Sequence, residues 1–438
     1  MHARESAAES TFARRSSSDE VFGTLLIVQT QLLTSATAID GTLVDVLIGA
    51  AGTVDAVGPE LAADNGRSAV ERVDLSGRIV LPAATEPHAH LDKAFLAEVV
   101  ANPTGDLIGA IEAMRANRHL LNTPNTVERA ERAARLMAGN GYTAVRTHAD
   151  VTVDHGLTSI EALVEVRERV ADVIDIEIVA LCGWPITGDR GADQRALLRA
   201  ALDGGADLVG GCPHLETVAG DGTIASATEI LLAIADDYRR PVDLHTDETL
   251  DPAADGLARL AAHVAAGFDL PVTASHCVSL GQQSERDQQR TAEAVAAAGI
   301  SVVALPHTNL FLQGRGRSPM PRALTAVEAL RTAGANVAAG ADNLQDPFNP
   351  LGRACPFETA GLMILAAHLR PADAWTMVST NSSRALGRAG AATPVHGLHL
   401  GAPADLLSVP AANVREAIAG GPPDRIVWRN GVRRGGET

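Results

Sequence analysis

Apolar and polar positions follow three regimes along the chain. From about Val21 to Ile79, short runs (TLLIVQT, VDVLIG, GTVDAVG and GRIVLP) are broken by Gly and Asp, the pattern of short strands joined by turns. ADLLSVP and RIVWRNGV repeat it near the C-terminus. In the long middle the period changes. Strand-like runs recur at IVLPAATEPHAH, TAVRTH, IEIVALC, DLVGGCPH, PVDLHTD, VTASHC, SVVALPH and VAAGAD. Between them, stretches such as VERAERAARLMAG and AEAVAAAG carry apolar residues at helical spacing and often close on Gly. Eight such units predict an α/β chain with a (β/α)₈ barrel over residues 81–394, whose reactive face is the C-terminal end of its strands. The flanking segments, 21–80 and 395–438, predict one small β-sandwich domain built from both chain ends. An open doubly wound sheet is the alternative, but no GxGxxG follows the first strand, which disfavours a dinucleotide fold.

Composition narrows the partners. Hydrophobic residues make up 46% of the 438, enough for a large core, yet aromatics are only 3%, so packing must rest on Ala, Val, Leu and Ile. A formal charge of −17 argues against nucleic acid or an anionic membrane as partner. No apolar run approaches the ~20 residues that span a bilayer. Residues 1–20, rich in Ser and Arg without an apolar stretch, read as a flexible tail and not a signal peptide. Cys182, Cys212, Cys277 and Cys355 show no CxxC spacing, which fits thiols in a reducing compartment such as the cytoplasm. Lys93 is the only lysine among 36 basic residues. In a chain that otherwise uses Arg, it marks a place where a compact ammonium is needed and a planar fork will not fit.

Histidine placement points to chemistry. Of 14 histidines, His88, His90, His148, His214, His245, His276 and His307 fall at or near predicted strand C-termini, which a barrel gathers at one mouth. Imidazole is largely neutral at pH 7 and is a common ligand for zinc and iron. His88 and His90 form an HxH pair, whose period-2 spacing points both rings to one face. Glu248 follows His245 by three residues, just past the strand end. Asp342 ends the eighth strand, where a carboxylate is costly to bury unless it meets a metal or a cation. His148 and His214 read equally as supporting or core groups, and Cys182, Cys212 and Cys277 as small apolar wall residues.

The motifs EPHAHLD, VRTHAD, DLHTDE, ASHC, NLFLQGR and GADNLQDPFNPLG, in this order, resemble the cytosine deaminase branch of the amidohydrolase superfamily and its aminotriazine-hydrolysing relatives. The resemblance implies one divalent ion per chain, Zn or Fe, on His88, His90, His245 and Asp342. It implies Glu248 as proton shuttle, His276 as the group orienting water and substrate, and Asp342 as acceptor of the water's proton. Some superfamily members bridge two metals with a lysine from strand four; the only lysine here follows strand one, which implies a single-metal site. The recognition positions differ. Gly183 stands where the family has a pyrimidine-reading Gln, Asn343 follows Asp342 where it has Asp, and Phe348 replaces its Trp. Trp184, His307 and Lys93 add groups at the same mouth. These six are the candidate substrate-binding residues. The implied activity is hydrolytic deamination of a small planar heterocycle that is not cytosine itself. Hydrolysis of a hydantoin- or lactam-like ring amide, and removal of an N-alkylamine from an aminotriazine-like ring, stay open. A binding protein that lost catalysis would show an eroded ligand or shuttle, and none is eroded. A homo-oligomer is left open.

Overall fold

The structure, a computed structural model, describes residues 29–63, 70–219, 222–388 and 398–434. The expected tail at 1–20 and the expected boundaries at 21 and 395 lie outside them. Eight parallel strands follow one another in register: β6 (Ala84–Ala89), β7 (Tyr142–Val151), β8 (Asp175–Cys182), β9 (Leu208–Gly211), β10 (Val242–Thr246), β11 (Val272–His276), β12 (Ser301–Ala304) and β13 (Asn336–Ala339). A parallel bridge between Ala89 and Asp342 closes the ring. Helices connect the strands, as parallel pairing requires. The helix Thr123–Gly139 shows why they form. Asn122 caps it by accepting from Asn125 N, Pro124 sits in its first turn, and Val127, Ala130, Ala133, Ala134 and Met137 recur at helical spacing on its buried face. None of the described helices is long and apolar enough to cross a membrane.

The closing seam is held by a side chain. Glu86 is buried, and its carboxylate accepts from Ala341 N at 3.0 Å and His88 N at 3.2 Å, joining the first strand to the segment after the last. Burial pushes the carboxyl up to about 8, against the pull of those amides. Gly340 is required here, since a Cβ would lie 2.4 Å from Glu86 Oε1.

The remaining strands come from both chain ends: β1 (Gln31–Thr37), β2 (Leu43–Ile48), β3 (Val54–Gly58), β4 (Glu71–Asp74) and β5 (Ile79–Pro82), then β14 (Leu406–Val409), β15 (Ile426–Arg429) and β16 (Val432–Arg434). They form one hydrogen-bonded sheet in which β14 pairs with β5, Leu407 opposite Leu81. Leu33, Val46, Ile48, Val80, Leu406 and Trp428 give it a core of its own. Trp428 Nε1 donates to Gln31 Oε1 at 3.0 Å, tying one chain end to the other. The run IVLPAATEPHAH is therefore two strands. Ile79–Pro82 belongs to this sheet, and only Ala84–Ala89 enters the barrel.

Candidate active site

Four barrel strands deliver their last residues to one point. His88 lies near the end of β6 and His90 just past it, His245 is the last residue but one of β10, His276 ends β11, and Asp342 follows β13. His90 Nε2 lies 3.3 Å from Asp342 Oδ1 and 3.3 Å from His245 Nε2, and His88 Nε2 lies 3.7 Å from Asp342 Oδ1. All are buried. His276 and Asp342 adopt φ of 69° and 62°, a left-handed backbone that side chains avoid unless the fold imposes it.

Electrostatics suit a cation at that point. Burial, then mutual repulsion and Lys93, hold His88 and His90 well below the ordinary imidazole value, and burial pushes His245 down to about 3, so all three rings are neutral. Burial pushes the Asp342 carboxyl up to about 8, and a divalent ion beside it would bring it down again and keep it ionised. Neither of its oxygens has a hydrogen-bond partner among the described residues, and neither does His88 Nε2. The His88 tautomer is set from behind. Ser275 Oγ donates to Asp243 Oδ1 at 2.9 Å, so it accepts from His88 Nδ1 at 2.8 Å, leaving the Nε2 lone pair aimed at the site. Orphaned acceptors, neutral imidazoles and an unpaired carboxylate fit a divalent ion.

Two further histidines attend this cluster. His148 stacks on His88 with ring centres 3.8 Å apart; its two ring nitrogens have no hydrogen bond among the described residues, and one lies within ligand reach of His88 and His245. His214 stands behind, its Nδ1 donating to the His245 carbonyl at 3.1 Å.

Glu248 and His276 sit beside the cluster, His276 Nδ1 3.5 Å from Glu248 Oε1. Burial, then the nearby Asp342, raises the Glu248 carboxyl well above its usual range, which favours its protonated form. The cavity above spans about 720 Å³ of empty space, part of it open solvent at its mouth. Leu107, Ile111 and Met114 of the helix Leu107–Ala116 cover it, and Trp184 and Phe348 are among its walls. The Arg115 guanidinium lies over the Trp184 ring, 4.8 Å from its centre.

Of the candidate substrate-binding residues, Lys93, Gly183, Trp184, Asn343 and Phe348 line this cavity. His307 does not. It is the second residue of the helix Pro306–Leu312, and its Nε2 contacts Thr359 Oγ1 at 3.1 Å, while the next residue, Thr308, lines the cavity instead. The turn of that helix rotates successive side chains by about a quarter of a circle, which a strand-end reading could not anticipate. Gly183 does not leave a gap either: a Cβ there would meet Thr152 Cγ2 at 2.9 Å and Gln194 Oε1 at 3.0 Å.

Lys93 is buried and braced. Its Nζ lies 2.9 Å from Asp150 Oδ1, 3.1 Å from Asp92 Oδ1 and 3.1 Å from His90 Nδ1. Burial alone would lower its pKa, but Asp150 and Asp92 raise it. Asp150 also takes Arg118 Nη1 at 3.0 Å, linking the floor of the site to the segment after its cover helix. Asp92 lies in the quoted HLD motif and was legible there as an acid of unassigned role. Arg115 and Arg118 sit in a connecting segment away from the strand ends, and nothing in the pattern marks them.

Comparison with known proteins follows the same outline. A family model described as the amidohydrolase family matches residues 97–432. This chain belongs to that family. It is accordingly a hydrolase of C–N bonds other than peptide bonds. The chain is similar to a pterin deaminase from Rhizobium rhizogenes, 34% identical over 379 residues, 85% of this chain and 84% of that protein. Among solved structures it resembles the 5-methylcytosine deaminase from Klebsiella pneumoniae, with 29% identity and a TM-score of 0.80 over 93% of this chain and 99% of the other. It also resembles the N-isopropylammelide isopropylaminohydrolase from Burkholderia multivorans, with 29% identity and a TM-score of 0.76 over 92% and 98%.

Proposed function

We propose that this amidohydrolase is a hydrolytic deaminase that removes an exocyclic amino group from a flat nitrogen heterocycle, with one divalent ion, zinc or iron, on His88, His90, His245 and Asp342. The observation that carries the reading is the meeting of three neutral imidazoles and one carboxylate without a hydrogen-bond partner among the described residues beside the buried Glu248 at the base of a cavity. Such an ion, when bound, supplies a water acidified to a pKa of about 7 as nucleophile. Asp342 accepts the proton that water gives up. Glu248 donates to the ring nitrogen beside the attacked carbon, then takes the proton of the hydroxyl added to that carbon as the carbonyl forms and passes it to the leaving amine, so its carboxyl must start protonated; the proton held by Asp342 restores it for the next cycle. His276 steadies the charge that develops on the attacked carbon's substituents. Trp184, Phe348 and the apolar cover of Leu107, Ile111 and Met114 hold a planar ring and exclude bulk water.

Pterin deaminase is the relative with the highest identity reported above, so pterin heads the panel. The test is elemental analysis of purified protein combined with ammonia release from pterin, 5-methylcytosine, an N-alkylaminotriazine and a hydantoin. One transition-metal equivalent per chain and ammonia from an aminated ring support the proposal. Alkylamine release alone, ring-opened acid without ammonia, or protein free of transition metal overturns it.

A further inference from the structure

Glu248 lies beyond the end of β10 and belongs to no helix or strand, yet it is gripped at two points. Asn309, in the helix Pro306–Leu312, donates through Nδ2 to Glu248 Oε1 at 3.3 Å and to His276 Nδ1 at 3.0 Å. Four residues on, Gln313 Nε2 donates to the backbone carbonyl of Glu248 at 3.2 Å. Gln313 follows the last residue of that helix and its own N–H bonds the Asn309 carbonyl at 3.0 Å, so one short element and the residue that ends it hold both the carboxyl and the main chain of the same residue. Asn309, Glu248 and His276 are all buried, with Asn309 fully so. Water does not compete for these bonds.

The direction of the bonds has consequences. An amide nitrogen only donates, and this one has two hydrogens. One goes to His276 Nδ1, which therefore accepts, so the neutral ring carries its proton on Nε2. That atom has no other partner among the described residues, and His276 lines the cavity. The second hydrogen goes to Glu248 Oε1, which leaves Oε2 as the oxygen free to carry a proton in transit.

We propose that Asn309 is a positioning residue that decides which atom of each proton-handling group carries a proton, Nε2 of His276 and Oε2 of Glu248, with Gln313 anchoring the segment that bears Glu248. This rests on the roles given above to Glu248 and His276. Asn309 does not touch the substrate. It acts through the two groups that do.

The test uses full-length, metal-loaded enzyme with pterin and 5-methylcytosine as probes, following whichever is turned over faster. Asn309→Leu keeps the volume and removes both donors; kcat should fall about 100-fold, with KM within about threefold and metal content unchanged. Asn309→Asp keeps the shape and replaces donor by acceptor, and should lose as much. It also decides the matter if the Leu variant does not fold. In a Glu248→Gln background the further cost of Asn309→Leu should shrink to about tenfold or less, because the chief group it positions has lost its proton; a merely structural role would multiply in full. Asn309 variants with kcat within threefold of wild type, or fully multiplicative losses, overturn the inference while Glu248→Gln alone stays inactive. An active Glu248→Gln instead overturns the role of Glu248 itself.

Discussion

Ser275→Ala tests whether the metal site depends on the residues behind it. Ser275 Oγ accepts from His88 Nδ1 at 2.8 Å and donates to Asp243 Oδ1 at 2.9 Å, and Asp243 in turn accepts from Arg146 Nη1 at 2.9 Å. All four residues are buried, so no water replaces the hydroxyl. Asp243 would keep Arg146, but His88 Nδ1–H would lose its one hydrogen-bond partner among the described residues. A buried donor left unpaired costs about 1–3 kcal/mol. The ring can escape that cost by moving its proton to Nε2, which removes the lone pair a metal needs. Either way the penalty falls on ion binding, about 10–100-fold in affinity at about 1.4 kcal/mol per tenfold. Competition titration of zinc against a chromophoric chelator measures it. Ser279→Ala is the control, since Ser279 Oγ makes an equally buried bond, 2.7 Å to the Ala254 carbonyl, away from the histidines. If Ser275→Ala binds zinc within twofold of wild type, or no worse than the control, the argument that this relay orients His88 is wrong.

Four other outcomes follow from the same geometry. Glu248→Gln should keep its metal and lower kcat by about 10²-fold or more, because the proton donor is lost while volume is retained; near-normal turnover would remove Glu248 from the mechanism. Lys93→Arg should lose activity and thermal stability, because a longer planar group must enter a buried site shaped by Asp92, Asp150 and His90, at about 1–3 kcal/mol of overpacking; unchanged kinetics and melting would make the lone lysine a coincidence. His307 is pushed by burial from 6.5 down to about 4, so the folded state resists its protonation. The stability this gives is present above pH 6.5 and drains away as pH falls towards 4; His307→Gln should flatten the pH dependence of the urea midpoint across that window, and an unchanged slope counts against it. Cytosine should be a poor substrate, because the space beside Gly183 is taken by Thr152 and Gln194 and not by a side chain presented to a pyrimidine edge; a kcat/KM of ~10⁵ M⁻¹s⁻¹ or more on cytosine would refute this.

The parts legible from sequence are those set by backbone periodicity. Alternating short runs at the chain ends, eight repeats of strand and helix between them, and an HxH pair on one strand follow from local spacing of two or 3.6 residues, and each appears where that spacing puts it. Strand ends of a barrel converge wherever the loops go, so His88, His90, His245, His276 and Asp342 could be gathered from their positions alone. What happens one residue past a strand depends on how the chain turns, and there tertiary structure decided. His307 and Thr308 are adjacent, yet only Thr308 faces the cavity, because the chain has already entered a helix. Lys93 was conspicuous as a residue type, but its partner Asp150 lies 57 positions away and is brought to it by the pairing of β6 with β7. Likewise Asn309 was visible only as a letter in a motif. That it holds Glu248 and His276 with one amide follows from a short helix, a loop and a strand end meeting at the barrel mouth, a contact that no local pattern encodes.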